Sequence, residues 1–311
     1  MGRTIPHNVL RCPACHSEDL RELPGTLDCA NCNRDFPSTP GQIRFVTVTA
    51  DAVSDWLDSF KYRLKSNARL YNLLIEIISP VYFTGRLSRY LRSIPRDAIA
   101  INLGSGSSDL SDTIVNVDMF PYASVNMTAD IGQLPLKNDS VDYMVNVAVL
   151  EHVPDPSVVI REVLRVLRPG GQIYCYFPFI QGFHASPNDY TRVTKPGLRH
   201  LFRDFDIVEL RPDGGPTSGA LWVMQEWLAM VLSLGFPRAY AVMHLLLMLL
   251  TFPLKLLDAL LIHHPMAENI STAFVVIARK PGLHNPDTRE EHREEVNPPG
   301  IERSWRTAAS I

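Results

Sequence analysis

Short, mostly apolar runs alternate with polar connections through the middle of the chain. Ala98–Ile101 with Leu103 forms one run, ending abruptly at Gly104, Ser105 and Gly106. Ile114–Val117 ends in Asp118, Val125–Asp130 again ends in a carboxylate, and Val141–Val147 and Gln172–Pro178 follow. Strands buried on both faces of a parallel sheet read this way. A helical period closing at Arg165–Gly171 separates the last two, so strand and helix alternate as in a doubly wound α/β fold. Phe205–Arg211 and Thr272–Ala278 supply a sixth and a seventh strand. About 60 residues lie between them, and two of their segments, Ala220–Leu234 and Tyr240–Leu254, are strongly apolar.

The glycine turn changes the picture from fold to chemistry. Glycines after a buried strand let the backbone turn tightly and approach a ligand. A carboxylate at the tip of the next strand, Asp118, is placed to accept from a ribose diol. A nucleoside cofactor over the ends of a parallel sheet is one reading; a plain turn is the other. Only eleven residues separate Gly106 from Asp118, against about 20 in a dinucleotide fingerprint. The first helix must therefore be reduced to a turn or lost, which argues against a nicotinamide-dependent oxidoreductase needing a pyrophosphate-binding helix.

In order and spacing, the segments from Ala98 to Pro212 resemble the class I S-adenosylmethionine-dependent methyltransferases, in particular the type 11 group. The resemblance implies a Rossmann-like seven-stranded sheet and adenosylmethionine as cofactor. It implies that Gly104, Ser105 and Gly106 meet the methionine moiety, that Asp118 with Met119 holds the ribose, and that Asp130 and Ile131 frame the adenine. Asn146 and His152, after the fourth strand, would lie near the reactive methyl, with Glu151–His152 read chiefly as a structural hydrogen-bonding pair. Cys175 reads as a small core residue.

The N-terminal region carries separate chemistry. Four of the five cysteines form two Cys-x-x-Cys pairs, Cys12 with Cys15 and Cys29 with Cys32, separated by 13 residues. Two such knuckles complete a tetrahedral zinc site, and a ribbon this small draws its folding free energy from the metal. Leu10–Val46 resembles the Trm112-like zinc ribbons, including the aromatic-proline pair Phe36 and Pro37 after the last cysteine; a redox pair is the competing reading. His16 is a bystander. The first residues lack the apolar core of an export signal, so a reducing, cytoplasmic compartment is expected. With 30 basic and 33 acidic residues, the chain shows no broad electrostatic footprint for nucleic acid.

The expected organisation is a ribbon at 1–46, a helical cap at 47–96, a core at 97–212, an apolar helical insertion at 213–270, the last strand at 271–280 and a disordered tail at 281–311. The loop after the fifth strand groups His184, Asp189, Tyr190 and Arg192 at the edge where loops carry function. His184 or Asp189 would deprotonate an acceptor hydroxyl, and Tyr190 and Arg192 would hold the acceptor; the alternative is a loop in which Asp189 and Arg192 pair with each other. The insertion reads either as an interfacial helical hairpin on the inner face of a membrane or as a soluble lid or dimer interface. The expected activity is methyl transfer to a small-molecule, lipid-linked or glycan acceptor. A non-catalytic protein recruiting a partner through ribbon or insertion is the rival.

Overall fold

The computed structural model describes residues 4–46, 79–82, 84–184 and 188–282. Most of the expected helical cap and all but two residues of the expected tail lie outside these. The core strands are β5 (Ala100–Leu103), β6 (Val115–Asp118), β7 (Met127–Thr128), β8 (Val141–Val147), β9 (Leu167–Pro178), β10 (Asp206–Asp213) and β11 (Ala273–Arg279). Their spatial order is β7-β6-β5-β8-β9-β11-β10, with the first five parallel and β11 antiparallel to both neighbours. Val125–Asp130 thus yields only a two-residue strand, because Val125 instead closes a turn onto the Tyr122 carbonyl.

The ribbon is β1 (Leu20–Leu23), β2 (Thr26–Cys29), β3 (Asp35–Thr39) and β4 (Gln42–Arg44), an antiparallel meander. It continues the main sheet: β4 runs parallel to β7, with Ile43 opposite Met127 and Arg44 opposite Thr128. Eleven strands therefore form one sheet. Leu10 bridges to Leu136, the Arg11 amide donates to the Pro135 carbonyl, and Gln133 donates to the Pro13 carbonyl at 2.9 Å. Val9, Leu27, Phe36 and Ile43 belong to the same apolar core as Met127, Leu134 and Leu136.

Helices α1 (Arg86–Ser93), α2 (Pro156–Val166) and α3 (Lys195–Leu201) pack around the core strands. Asp155 caps α2 by accepting from the Ser157 amide, and Pro156 occupies its first position, where the missing N–H costs nothing. Residues 107–114 contain turns and no helix, as the short connection requires. The sheet face that a helix would have covered there is polar. Asn102 donates to Asn116 at 3.0 Å, and Asn116 donates to Asp109 and to the Ser124 carbonyl. Each buried amide is thus satisfied locally.

Before β11 come α4 (Pro216–Ser233), α5 (Pro237–Thr251), a 3-10 stretch Phe252–Leu257 and the short α6 (Asp258–Leu261). Their polarity is inverted. Ser218, Gln225, Thr251, Lys255 and Asp258 are buried, while Trp227, Leu234, Phe236, Leu250 and Leu260 are exposed. Asp258 accepts from the Thr217 and Ser218 amides and the Ser218 hydroxyl, so it caps α4 from across the pair. Gln225 donates to Thr251 at 2.6 Å.

Candidate active site

The expected site residues gather at the carboxyl edge of the parallel strands. β5 ends in Gly104 and Gly106, both left-handed, at φ of 68° and 54°. A Cβ on Gly104 would lie 2.4 Å from a Val149 methyl, whereas a Cβ on Gly106 would face open space. The turn is tied to β6: the Gly104 and Ser105 amides donate to the Val117 carbonyl. Asp118 finishes the tie, accepting from the Gly106 amide at 2.7 Å and the Phe120 amide at 2.9 Å. Its two oxygens keep further lone pairs for a ligand. Ser105 is buried and Met119 exposed. Asp130 is exposed; one oxygen accepts from the Gly132 amide in a tight turn, leaving the other outward beside half-buried Ile131. An open glycine cradle flanked by two carboxylates fits a ribose diol and an exocyclic amine.

Asn146 lies buried near the end of β8. Strand alternation puts it on the same face as Met144, where it donates to the Leu103 carbonyl at 3.3 Å and takes the Cys175 thiol as donor. It thereby braces the end of β5 immediately before the glycine turn.

The acceptor side is built by the segment after β8 and the loop after β9. Ala148 adopts φ of 53°, unusual for a side chain with a Cβ, and swings the chain into the turn Leu150–His152. Glu151 is fully buried, and neither carboxylate oxygen has a hydrogen-bond partner. The Nε2 atoms of His152 and His184 stand 3.7 and 3.6 Å from its Oε1, too long for hydrogen bonds. The Glu151 carboxylate raises His184 above the ordinary imidazole value, with burial opposing. The two rings meet edge to face at 5.2 Å. From sequence, Glu151 and His152 read as a structural pair or, less simply, an acid–base pair; the second histidine converging on the Glu151 carboxylate follows from loop geometry.

The loop itself is held by Asp189. Its carboxylate takes both Nη atoms of Arg192 and the His184 amide at 2.9 Å. Arg192, and less so the His184 amide, hold Asp189 down to about 2. Arg192 also donates to the Gly182 and Thr191 carbonyls. Asp189 and Arg192 therefore form the internal pair, the alternative to a proton acceptor and an anion holder. Tyr190 is exposed, and its amide donates to the Glu151 carbonyl at 2.7 Å.

In the ribbon, Cys12 and Cys32 sulfurs lie 3.7 Å apart and Cys15 and Cys29 3.5 Å, all four within 4.8 Å. Tetrahedral zinc with Zn–S near 2.3 Å needs about 3.8 Å between sulfurs. The knuckles match each other: His16 and Asn33 are both left-handed and donate to the Cys12 and Cys29 carbonyls at 2.9 Å. His16 thus shapes its knuckle.

Residues 83–175 match the family described as a methyltransferase domain. Demethylmenaquinone methyltransferase of Listeria welshimeri is 40% identical over 73 residues, 22% of this chain and 31% of that protein. The tRNA (carboxymethyluridine(34)-5-O)-methyltransferase of Saccharomyces cerevisiae is 32% identical over 110 residues, 29% and 39% of the two chains. This chain therefore spans about a third of the length of these curated relatives. A structure of Haemonchus contortus phosphoethanolamine N-methyltransferase 2 with S-adenosyl-L-methionine aligns at TM-score 0.45 and 15% identity, over 75% of this chain and 61% of that one.

Proposed function

From a chain that belongs, through residues 83–175, to the methyltransferase-domain family, we infer an S-adenosylmethionine-dependent methyltransferase that acts on an apolar, lipid-linked acceptor at a membrane surface. The cofactor supplies an activated sulfonium methyl. Gly104–Gly106 would hold its methionine part, Asp118 with Met119 its ribose, and Asp130 with Ile131 its adenine. The residues on the acceptor side are His152, His184 and Tyr190, with Asp189 and Arg192 fixing the loop that carries them. Catalysis of this kind is chiefly alignment, which the sheet edge and the Asp189–Arg192 pair would serve. Zinc on Cys12, Cys15, Cys29 and Cys32 is the structural metal. The named relatives methylate acceptors as unlike as a quinone and a tRNA base, so the acceptor class rests on this chain's own surface.

The observation that carries the lipid reading is the inverted polarity of α4 and α5. Residues 237–261 contain an 18-residue stretch of mean hydropathy 1.8, 6% of it buried, and by length and composition could cross a membrane. Ser218, Gln225, Thr251, Lys255 and Asp258 face inward while Trp227, Leu234, Phe236, Leu250 and Leu260 face outward, the reverse of a soluble hairpin. A groove of about 440 Å³, lined by Ile180, Ala220, Val223, Met224 and Trp227, opens beside the acceptor loop, where Glu226 packs against Gly182. An apolar tail in that groove brings its polar head to His184. In liposome flotation, the intact chain should float, resist high salt and be released by detergent; a chain with 220–262 replaced by a glycine-serine linker should not float. An intact chain that stays at the bottom overturns the membrane reading. Calorimetry with S-adenosylmethionine tests the cofactor separately.

A further inference from the structure

We propose that Glu151, His152 and His184 form a second metal centre, a two-histidine, one-carboxylate site for a first-row divalent cation. Three acceptor-type atoms, Glu151 Oε1 and the two Nε2 atoms, converge within 4.8 Å of one another. Around an ion with bonds of about 2.0–2.1 Å, such atoms stand about 3.0–3.4 Å apart. The separations of 3.6 and 3.7 Å to Oε1 close to that with small side-chain rotations. Glu151 is the independent sign that something belongs between them. A fully buried carboxylate with neither oxygen hydrogen-bonded is costly, and a cation removes the cost.

The outer contacts point the same way. His152 Nδ1 lies 2.5 Å from the Asn188 carbonyl and His184 Nδ1 3.2 Å from the Gly182 carbonyl. A carbonyl at Nδ1 selects the tautomer with the proton on that nitrogen and turns a bare Nε2 toward Glu151. Metal-bound histidines are oriented by contacts of this kind. The loop that brings His184 is locked by the Asp189–Arg192 pair, so the third ligand is pre-positioned. The His184 side chain, 36% exposed, leaves a route to solvent and room for open positions. Nitrogen and carboxylate donors in this number suit zinc, manganese, iron or cobalt. This deepens the methyltransferase reading and rests on it for its use: an acceptor hydroxyl on an open position ionises nearer neutral pH than a free one.

The test is Co2+ titration of the full chain carrying a single equivalent of zinc, which the four ribbon thiolates take first, followed by visible absorption. One equivalent should bind with ligand-field bands and without the near-ultraviolet thiolate charge-transfer band that the ribbon would give. His184→Ala, on the half-exposed loop, and Glu151→Gln should each weaken Co2+ at least tenfold while circular dichroism and ribbon zinc stay unchanged. Wild-type protein that binds no Co2+ beyond the ribbon overturns the site, whatever the variants do. So does Co2+ binding with a thiolate band that survives both substitutions. Calorimetry with S-adenosylmethionine on the same sample separates the two ideas: cofactor binding without Co2+ removes only the metal, and Co2+ without cofactor removes only the methyl-transfer role.

Discussion

Asp118→Asn asks one residue to answer for both turn and ligand. The side chain is 8% exposed, and its two oxygens receive the Gly106 amide at 2.7 Å and the Phe120 amide at 2.9 Å. Asparagine keeps the shape but has one acceptor oxygen. Whichever way it turns, an NH2 group meets one backbone N–H. The loss of one charge-assisted hydrogen bond, with its donor left facing another donor, costs about 1.5–3 kcal/mol. At about 2–4 °C per kcal/mol for a chain of this size, the melting temperature should fall by about 3–12 °C. The ribose loses a charged acceptor of the same worth, so S-adenosylmethionine should bind about 10–150-fold more weakly. Differential scanning fluorimetry and titration calorimetry on one preparation read both quantities. An unchanged melting temperature would show that Asp118 does not hold the glycine turn. Unchanged affinity at an altered melting temperature would remove it from the ribose.

Gly104→Ala should destabilise by about 2–5 kcal/mol, the sum of a left-handed backbone and a Cβ driven into Val149; urea unfolding giving less than about 1 kcal/mol would refute the turn geometry. Cys29→Ser should drop zinc from one equivalent at the ribbon and also lower the core transition, because Met127, Leu134 and Leu136 lose their cover; a calorimetric core transition that does not move would refute the docking. Asp189 has its folded-state acidity strengthened, from 3.8 to about 2, so its contribution is present above the unfolded value and lost as pH falls through about 2. The stability gap between wild type and Asp189→Asn should therefore be constant above about pH 5 and close toward pH 2 in thermal melts; a gap independent of pH would count against the pair with Arg192.

The sheet was legible because strands buried on both faces are largely apolar, and their ends announce themselves in glycine and carboxylate. The core strands fall within two residues of the runs Ala98–Leu103 to Thr272–Ala278, except that β9 begins at Leu167, five residues before Gln172, where pairing of Val141 with Leu167 extends it into the expected helix end and turn. What the sequence could not carry is non-local. The pairing of β4 with β7 uses backbone groups, which every residue has, so no side chain marks it. The hydrogen bond from Asn146 to the Leu103 carbonyl is equally invisible in sequence, because the strands that carry the two residues lie more than 40 positions apart. Asp189 and Arg192, three residues apart, could face a ligand or each other, and only loop curvature decides. The inverted helix pair was visible as composition, but which side its polar residues take depends on Asp258 reaching back to α4.

The shared sheet also fixes an order of events during synthesis. Domains emerge and fold from the N-terminus onward, so the ribbon is complete long before its neighbours exist. Leu10 must wait for Leu136, and Ile43 for Met127. On the proposed zinc assignment, metal on its four thiolates would let so small a fragment persist meanwhile. It then presents the finished strand β4 as a template for β7, the shortest strand of the core. On that assignment, a cell short of zinc would lose the protein at the ribosome.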